Sequence, residues 1–142
     1  MKILATILTV LFLAAGLAFA GNGQIYTKTI WSSEAVTKNT STTSAAIDLR
    51  QYQPAGNFSL QVTVTGDGTA KVEYEVSNDG TNYRTPSTAS DIVTAHIKTT
   101  GSSGLEHYDL SSHIEMCRYI RFKVTETGTS DDIAITAVFA VQ

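Results

Sequence analysis

Apolar and polar residues alternate through "NFSLQVTVTG" (57–66), with Phe58, Leu60, Val62 and Val64 on one side and Ser59, Gln61, Thr63 and Thr65 on the other. A period of two is that of a strand with one buried face. "GDGT" (66–69) then supplies turn residues. "AKVEYEVS" (70–77) repeats the pattern, with Ala70, Val72, Tyr74 and Val76 opposite Lys71, Glu73 and Glu75, so the two segments are expected to form a hairpin. Further strands are expected in "DIVTAHIK" (91–98), "GLEHYDL" (104–110), "MCRYIRFKVTE" (116–126) and "DDIAITAVFAVQ" (131–142). The last is apolar on both faces and belongs inside a sheet rather than at its edge. No capped helical stripe interrupts the series. The expected fold is all-β, an antiparallel sandwich or jelly roll of about seven to nine strands.

The cluster "SNDGTNY" (77–83) falls where a second turn is due, and Asp79-Gly80 suits a tight one because glycine accepts positive φ. A corner is the default reading. Asn78, Asp79, Asn82 and Tyr83 are also candidate ligand-loop residues. Calcium is the sharper alternative, with Asp67 added to the oxygen donors, but the spacing departs from the D-x-[DN]-x-[DN]-G loop. No metal and no cofactor is expected.

The N-terminal part differs in character. "QIYTKTIW" (24–31) is β-branched and aromatic, whereas "SSEAVTKNTSTTS" (32–44) is polar, which suggests a strand on a flexible tether. Extended, thirteen residues reach up to about 43 Å. Ile25, Tyr26, Ile30 and Trp31 are therefore candidates for a strand added to the sheet of an adjacent copy, with pairing inside the same domain as the competing arrangement. Before this region, "MKILATILTVLFLAAGLAFA" (1–20) has the positive start, apolar stretch and A-x-A site of a secretory leader cleaved before Gly21, a retained anchor being the alternative. The expected organisation is a leader (1–20), a strand and tether (21–44) and a sandwich domain (45–142).

Charge and composition narrow the function. Without Lys2, 9 basic residues face 13 acidic ones, a net of −4. Such a chain has no basic run for nucleic acid, and no membrane contact is expected after leader cleavage. About 120 residues remain, enough for one modest core. About a quarter of them are Ser or Thr, a composition suited to exposed strand faces. The lone Cys117 cannot form a disulfide within the chain; it is either a small buried residue or a thiol that could link two chains.

Catalytic patterns are lacking. His96, His107 and His113 form no H-E-x-x-H set, Glu106 and His107 point to opposite faces of their strand, and no G-x-S-x-G elbow is present. Glu73 and Glu75 share a solvent face, the usual arrangement for solubility. Trp31, Tyr26, Tyr52, Tyr83, Tyr108 and Tyr119 could instead serve as aromatic platforms for sugars.

"VEYEVSNDGTNYRTP" (72–86) followed by "CRYIRFKVTET" (117–127) resembles the S-x-D-G-x-x-[WY] hairpin and R-Y-[IV]-R strand of discoidin-type (coagulation factor 5/8 type C) jelly rolls. That resemblance implies binding of glycans or lipid head groups through loops at one end. The same hairpin is similar to one in β-sandwich modules of phage virion and bacterial surface proteins, which implies a structural role. A secreted, periplasmic or cell-surface module is expected, non-enzymatic, whose partner is another copy of itself or a surface glycan.

Overall fold

Among the described residues nine strands segregate into two antiparallel sheets, and the long ones carry the alternation seen in the sequence. The computed structural model describes residues 24–52, 56–87, 89–111, 114, 116–128 and 131–142. The expected leader and His113 lie outside the described residues. The strands are β1 (Tyr26–Val36), β2 (Ser41–Thr43), β3 (Ile47–Asp48), β4 (Phe58–Gly66), β5 (Ala70–Ser77), β6 (Val93–His96), β7 (Leu105–Asp109), β8 (Tyr119–Glu126) and β9 (Ile133–Val141), with one 3-10 turn at Leu49–Gln51. The first sheet runs β1-β9-β4-β7. The second runs β2-β8-β5-β6, with β3 also paired to β8.

The core is the sum of the inward-facing positions. Phe58, Leu60, Val62 and Val64 of β4 and Ile133, Ile135, Ala137, Phe139 and Val141 of β9 meet Ala70, Val72, Tyr74 and Val76 of β5 and Ile120, Phe122 and Val124 of β8. Phe139 joins the layers, 5.8 Å from Phe58 in its own sheet and 5.3 Å from Phe122 in the other, centroid to centroid. As its two apolar faces predict, β9 is interior, flanked by β1 and β4.

The expected β4–β5 hairpin does not form. Gly66 pairs with Ile133 in the first sheet, while Ala70 pairs with Glu126 and His96 in the second. The chain therefore crosses between layers, so that the apolar faces of β4 and β5 lie in opposite layers of the core. The glycines permit the crossing: Gly66 has φ +92°, and a Cβ there would lie 2.5 Å from the Asp132 carbonyl oxygen. At Gly68 a Cβ would lie 2.7 Å from that of Asp131.

Residues 32–44 also differ from expectation. Ser32–Val36 continue β1, a turn follows at 37–40, and Ser41–Thr43 pair with β8 as β2. The polarity that suggests a tether belongs to strand faces turned toward water.

One carboxylate ties these connections together. Glu126, at the end of β8, is 1% exposed. Its Oε1 accepts from the backbone N–H of Thr69 (3.0 Å) and Gly128 (2.6 Å), and its Oε2 from that of Asn39 (3.1 Å). Burial pushes its pKa up, but the three N–H donors, with Lys38 nearby, outweigh burial and hold it below the usual 4.5.

Glu126→Ala removes the shared acceptor of three donors, two of them next to glycine-rich crossings, and is expected to destabilise the fold by about 3 kcal/mol or more in urea unfolding. Because the native pKa is lowered, the stabilisation is complete above the unfolded value and is lost as pH falls through the native one. Wild type should therefore lose stability as acid is added from pH 5 downward more steeply than Glu126→Gln; parallel acid profiles would assign the loss to other carboxylates.

Candidate functional site

The residues singled out at the N-terminus lie along β1, the outer strand of the first sheet. Trp31 points into the core (5% exposed), Tyr26 and Ile30 are half-buried against it, and Ile25 precedes the strand at 62% exposure. In this single chain β1 pairs with β9, from Tyr26↔Val141 to Val36↔Ile133. The pairing is interrupted on both sides of Trp31, where Ser33 takes φ +54° and its N–H reaches the Thr136 hydroxyl (3.0 Å). Such bulges, together with Lys28 in an inward register position opposite Phe139, blunt the free side of β1 against further strands. Among the described residues, the buried indole N–H of Trp31 has no acceptor.

The second group forms a turn. Val76 and Arg84 exchange backbone hydrogen bonds (2.9 and 3.1 Å), closing a loop over residues 77–83. Asp79 organises it: Oδ1 accepts from the N–H of Asn82 and Thr81 and from the Ser77 hydroxyl (2.8 Å each), and Oδ2 from the Asn82 side-chain amide (2.7 Å). The Asn82 N–H and side-chain amide, then the Thr81 N–H, hold the Asp79 pKa far below the usual carboxylate range. Asn78 accepts from the Arg118 N–H (3.2 Å) and so joins the turn to β8. The Asp79 carboxylate that suggests a cation site is spent on the turn itself, and Asp67 lies elsewhere, paired with Lys98. Among the described residues, no cluster of three His, Cys, Asp or Glu side chains could hold a metal ion.

Beside this turn the fold makes a groove that the linear spacing conceals. Tyr52 after the 3-10 turn, Tyr83 from the loop and Tyr119 from β8 line it with Lys28, Asp48 and Asp79, enclosing about 310 Å³. The Arg121 guanidinium covers one side of the Tyr83 ring at 4.0 Å, and that of Arg118 lies 4.6 Å from the centre of Tyr119. Tyr52 is braced by Tyr26 at 5.6 Å. The Tyr83 hydroxyl is buried with no partner among the described residues. Asp48 is held below the usual range first by its bond to Arg50. A second cavity, about 330 Å³, lies at the end of the first sheet between Ile25, Phe58, His107, Asp109 and Val141.

His96 escaped the sequence reasoning. It is fully buried, its Nε2–H donating to the Gly104 carbonyl (2.6 Å), which leaves Nδ1 to accept from the Tyr108 hydroxyl (3.2 Å). Both ring nitrogens are thus occupied in joining β6 to β7 and the loop before it. No signal in the sequence marks it, because β6 departs from alternation, with Val93 and His96 buried and the two residues between them exposed.

No family model matches the chain, and no curated protein matches it. Solved structures do. A structure of infectious bursal disease virus, Gx strain, matches with a TM-score of 0.53 at 12% identity, over 83% of this chain and 32% of that one. The VP2 subviral particle of infectious bursal disease virus matches with 0.51 at 13% identity, over 83% and 32%. T=1 particles derived from the same virus match with 0.52 at 13%, over 83% and 31%. The chain thus spans about a third of the length of those chains, and at such identity the likeness establishes the sandwich fold.

Asp79→Ala should lower the urea midpoint with little change in slope, since it opens a turn rather than the core. Asp79→Asn, which keeps one acceptor oxygen, should fall between; equal stability of all three proteins would show that the carboxylate does not hold the turn.

Proposed function

We propose that the protein is an exported, non-catalytic structural module that assembles with copies of itself by exchanging β1. The observation that carries this reading is the position of β1. It is an eleven-residue outermost strand, paired among the described residues with β9 alone and joined to the rest of the sandwich through the turn at 37–40. Its bulged outer side discourages a neighbour from simply adding on. Replacement of β1 by the β1 of another copy re-forms every contact it makes in its own chain, so exchange is thermodynamically inexpensive once the turn opens. Ile25, Tyr26, Ile30 and Trp31 would then be the residues carried across. The use of the same sandwich fold in structures of viral particles supports a structural role. The leader-like residues 1–20 support export to the periplasm, cell surface or medium.

Two copies test the exchange, one carrying Thr27→Cys and the other Ala140→Cys, each in a Cys117→Ser background. Thr27 and Ala140 are paired in register. Mixed, briefly warmed and oxidised, they should give a disulfide-linked heterodimer; persistence of separate monomers would rule exchange out.

A second reading, binding of a neutral saccharide, is favoured by the groove, where three tyrosines meet polar side chains. Retention on a glycan array that is lost in Tyr119→Ala, with the melting profile kept, is the expected result. Binding unchanged by Tyr119→Ala, or none at all, would remove this reading.

A further inference from the structure

The two outer faces of the sandwich differ in charge. On the second sheet the solvent-facing rows are ionic: Lys71 bridges Glu73 (3.1 Å) and Asp91 (3.3 Å), Lys123 lies 3.7 Å from Glu73, and Arg121 pairs with Glu75 (2.5 Å). These pairs cover the face with mutually neutralised charge.

The outer face of the first sheet is built from other residues. The strand registers align Thr27, Ala140, Ser59 and Asp109 in one row, and Thr29, Val138, Gln61 and His107 in the next. Thr136, Thr63 and Leu105 follow, then Ala35, Ala134 and Thr65. None of these positions is Lys, Arg or Glu. Asp109 and His107 stand at the margin on β7, and Leu105 is 42% exposed. On β1, β9 and β4 these side chains, most of them small, make an uncharged platform, bordered at one end by the cavity beside His107 and Asp109.

We propose that this platform is a contact surface for a second copy of the chain, packed face to face about a two-fold axis. Two observations select that occupant. An uncharged Thr, Ser, Ala and Val surface offers nothing to a charged partner, whereas an identical copy presents the same polarity and lets hydroxyl and amide groups pair across the axis. The size also fits: four strands spaced by about 4.8 Å, the shortest Leu105–Asp109 and the longest Tyr26–Val36, present on the order of 500 Å² per copy. The pair then buries about 1,000 Å², the lower limit for a specific interface, and the dimer is weak and concentration-dependent. This contact deepens the assembly reading but does not require β1 to leave its own chain.

Sedimentation or light scattering across a concentration series, from Gly21 onward, should show a monomer–dimer equilibrium. Gln61→Lys, at a solvent-facing position near the centre, brings like charges together across the axis and should raise the dissociation constant by more than about tenfold. Mixing Gln61→Lys with Gln61→Glu should restore association, which also shows that each variant folds. Ser41→Lys on the opposite sheet should leave the dimer unchanged. A chain monomeric at all concentrations, or a dimer indifferent to Gln61→Lys, overturns the proposal. Cross-linking of Thr27→Cys with Ala140→Cys copies that persists in the Gln61→Lys background reports β1 exchange alone, so the two ideas fail separately.

Discussion

The fold depends on a single crowded corner where the chain passes three times between layers. Residues 37–40 carry it from β1 to β2, residues 67–69 from β4 to β5, and a third connection from β8 to β9, and Asp131 and Asp132 before β9 lie close enough to the second to exclude a Cβ at Gly66 and Gly68. Crossings leave backbone N–H groups without ladder partners, and in a buried corner each such group must find an acceptor. Glu126 supplies it for Thr69 and Gly128 and, from the same carboxylate, for Asn39 in the turn after β1. A side chain that would ordinarily face water is thereby buried, and the hydrogen bonds it accepts offset the cost of burying its charge.

From that corner the functional geometry follows. Holding the turn at 37–40 to Glu126, and Lys38 N–H to Asp132 (2.8 Å), fixes where β1 leaves the first sheet and β2 enters the second. β1 is consequently both an integral strand, through Trp31 and Val36, and one of the two edge strands of its sheet. An edge strand with a large buried anchor suits exchange better than addition, because the anchor needs a vacated site to fill. The bulges beside Trp31 act in the same direction by spoiling the free edge.

The sandwich is also two-sided in a chemical sense. Its second sheet is solvated through ion pairs, at best weakly stabilising at an exposed surface but effective in keeping that face in water. Its first sheet has hydroxyls, alanines, Val138 and Gln61 instead, with Leu105, His107 and Asp109 along β7. The tyrosine groove lies where the layers meet, assembled from β1, β3, the 77–83 turn and β8. No two of its three tyrosines are within thirty residues of each other in the sequence. Each is held by a different neighbour, Tyr26, Arg121 or Arg118.

By itself the sequence determined which side of each long strand is buried, since a period of two states that locally: Phe58 to Val64, Ala70 to Val76 and Ile120 to Val124 all point inward as their alternation requires. It also determined that β9 is interior and that Asp79-Gly80 makes a turn. Only the tertiary structure decided which strands share a sheet. Alternation names the wet and dry sides of a strand but not the neighbour that completes its hydrogen bonds, so β4 and β5 looked like a hairpin although they face each other across the core. The same reason hid β2 and β3, too short for a period, and made 32–44 look like a tether. It hid Glu126 and His96 as well, whose burial depends on loops and strands distant in sequence. The groove belongs to this second category, because convergence of separated side chains is a property of pairing rather than of spacing.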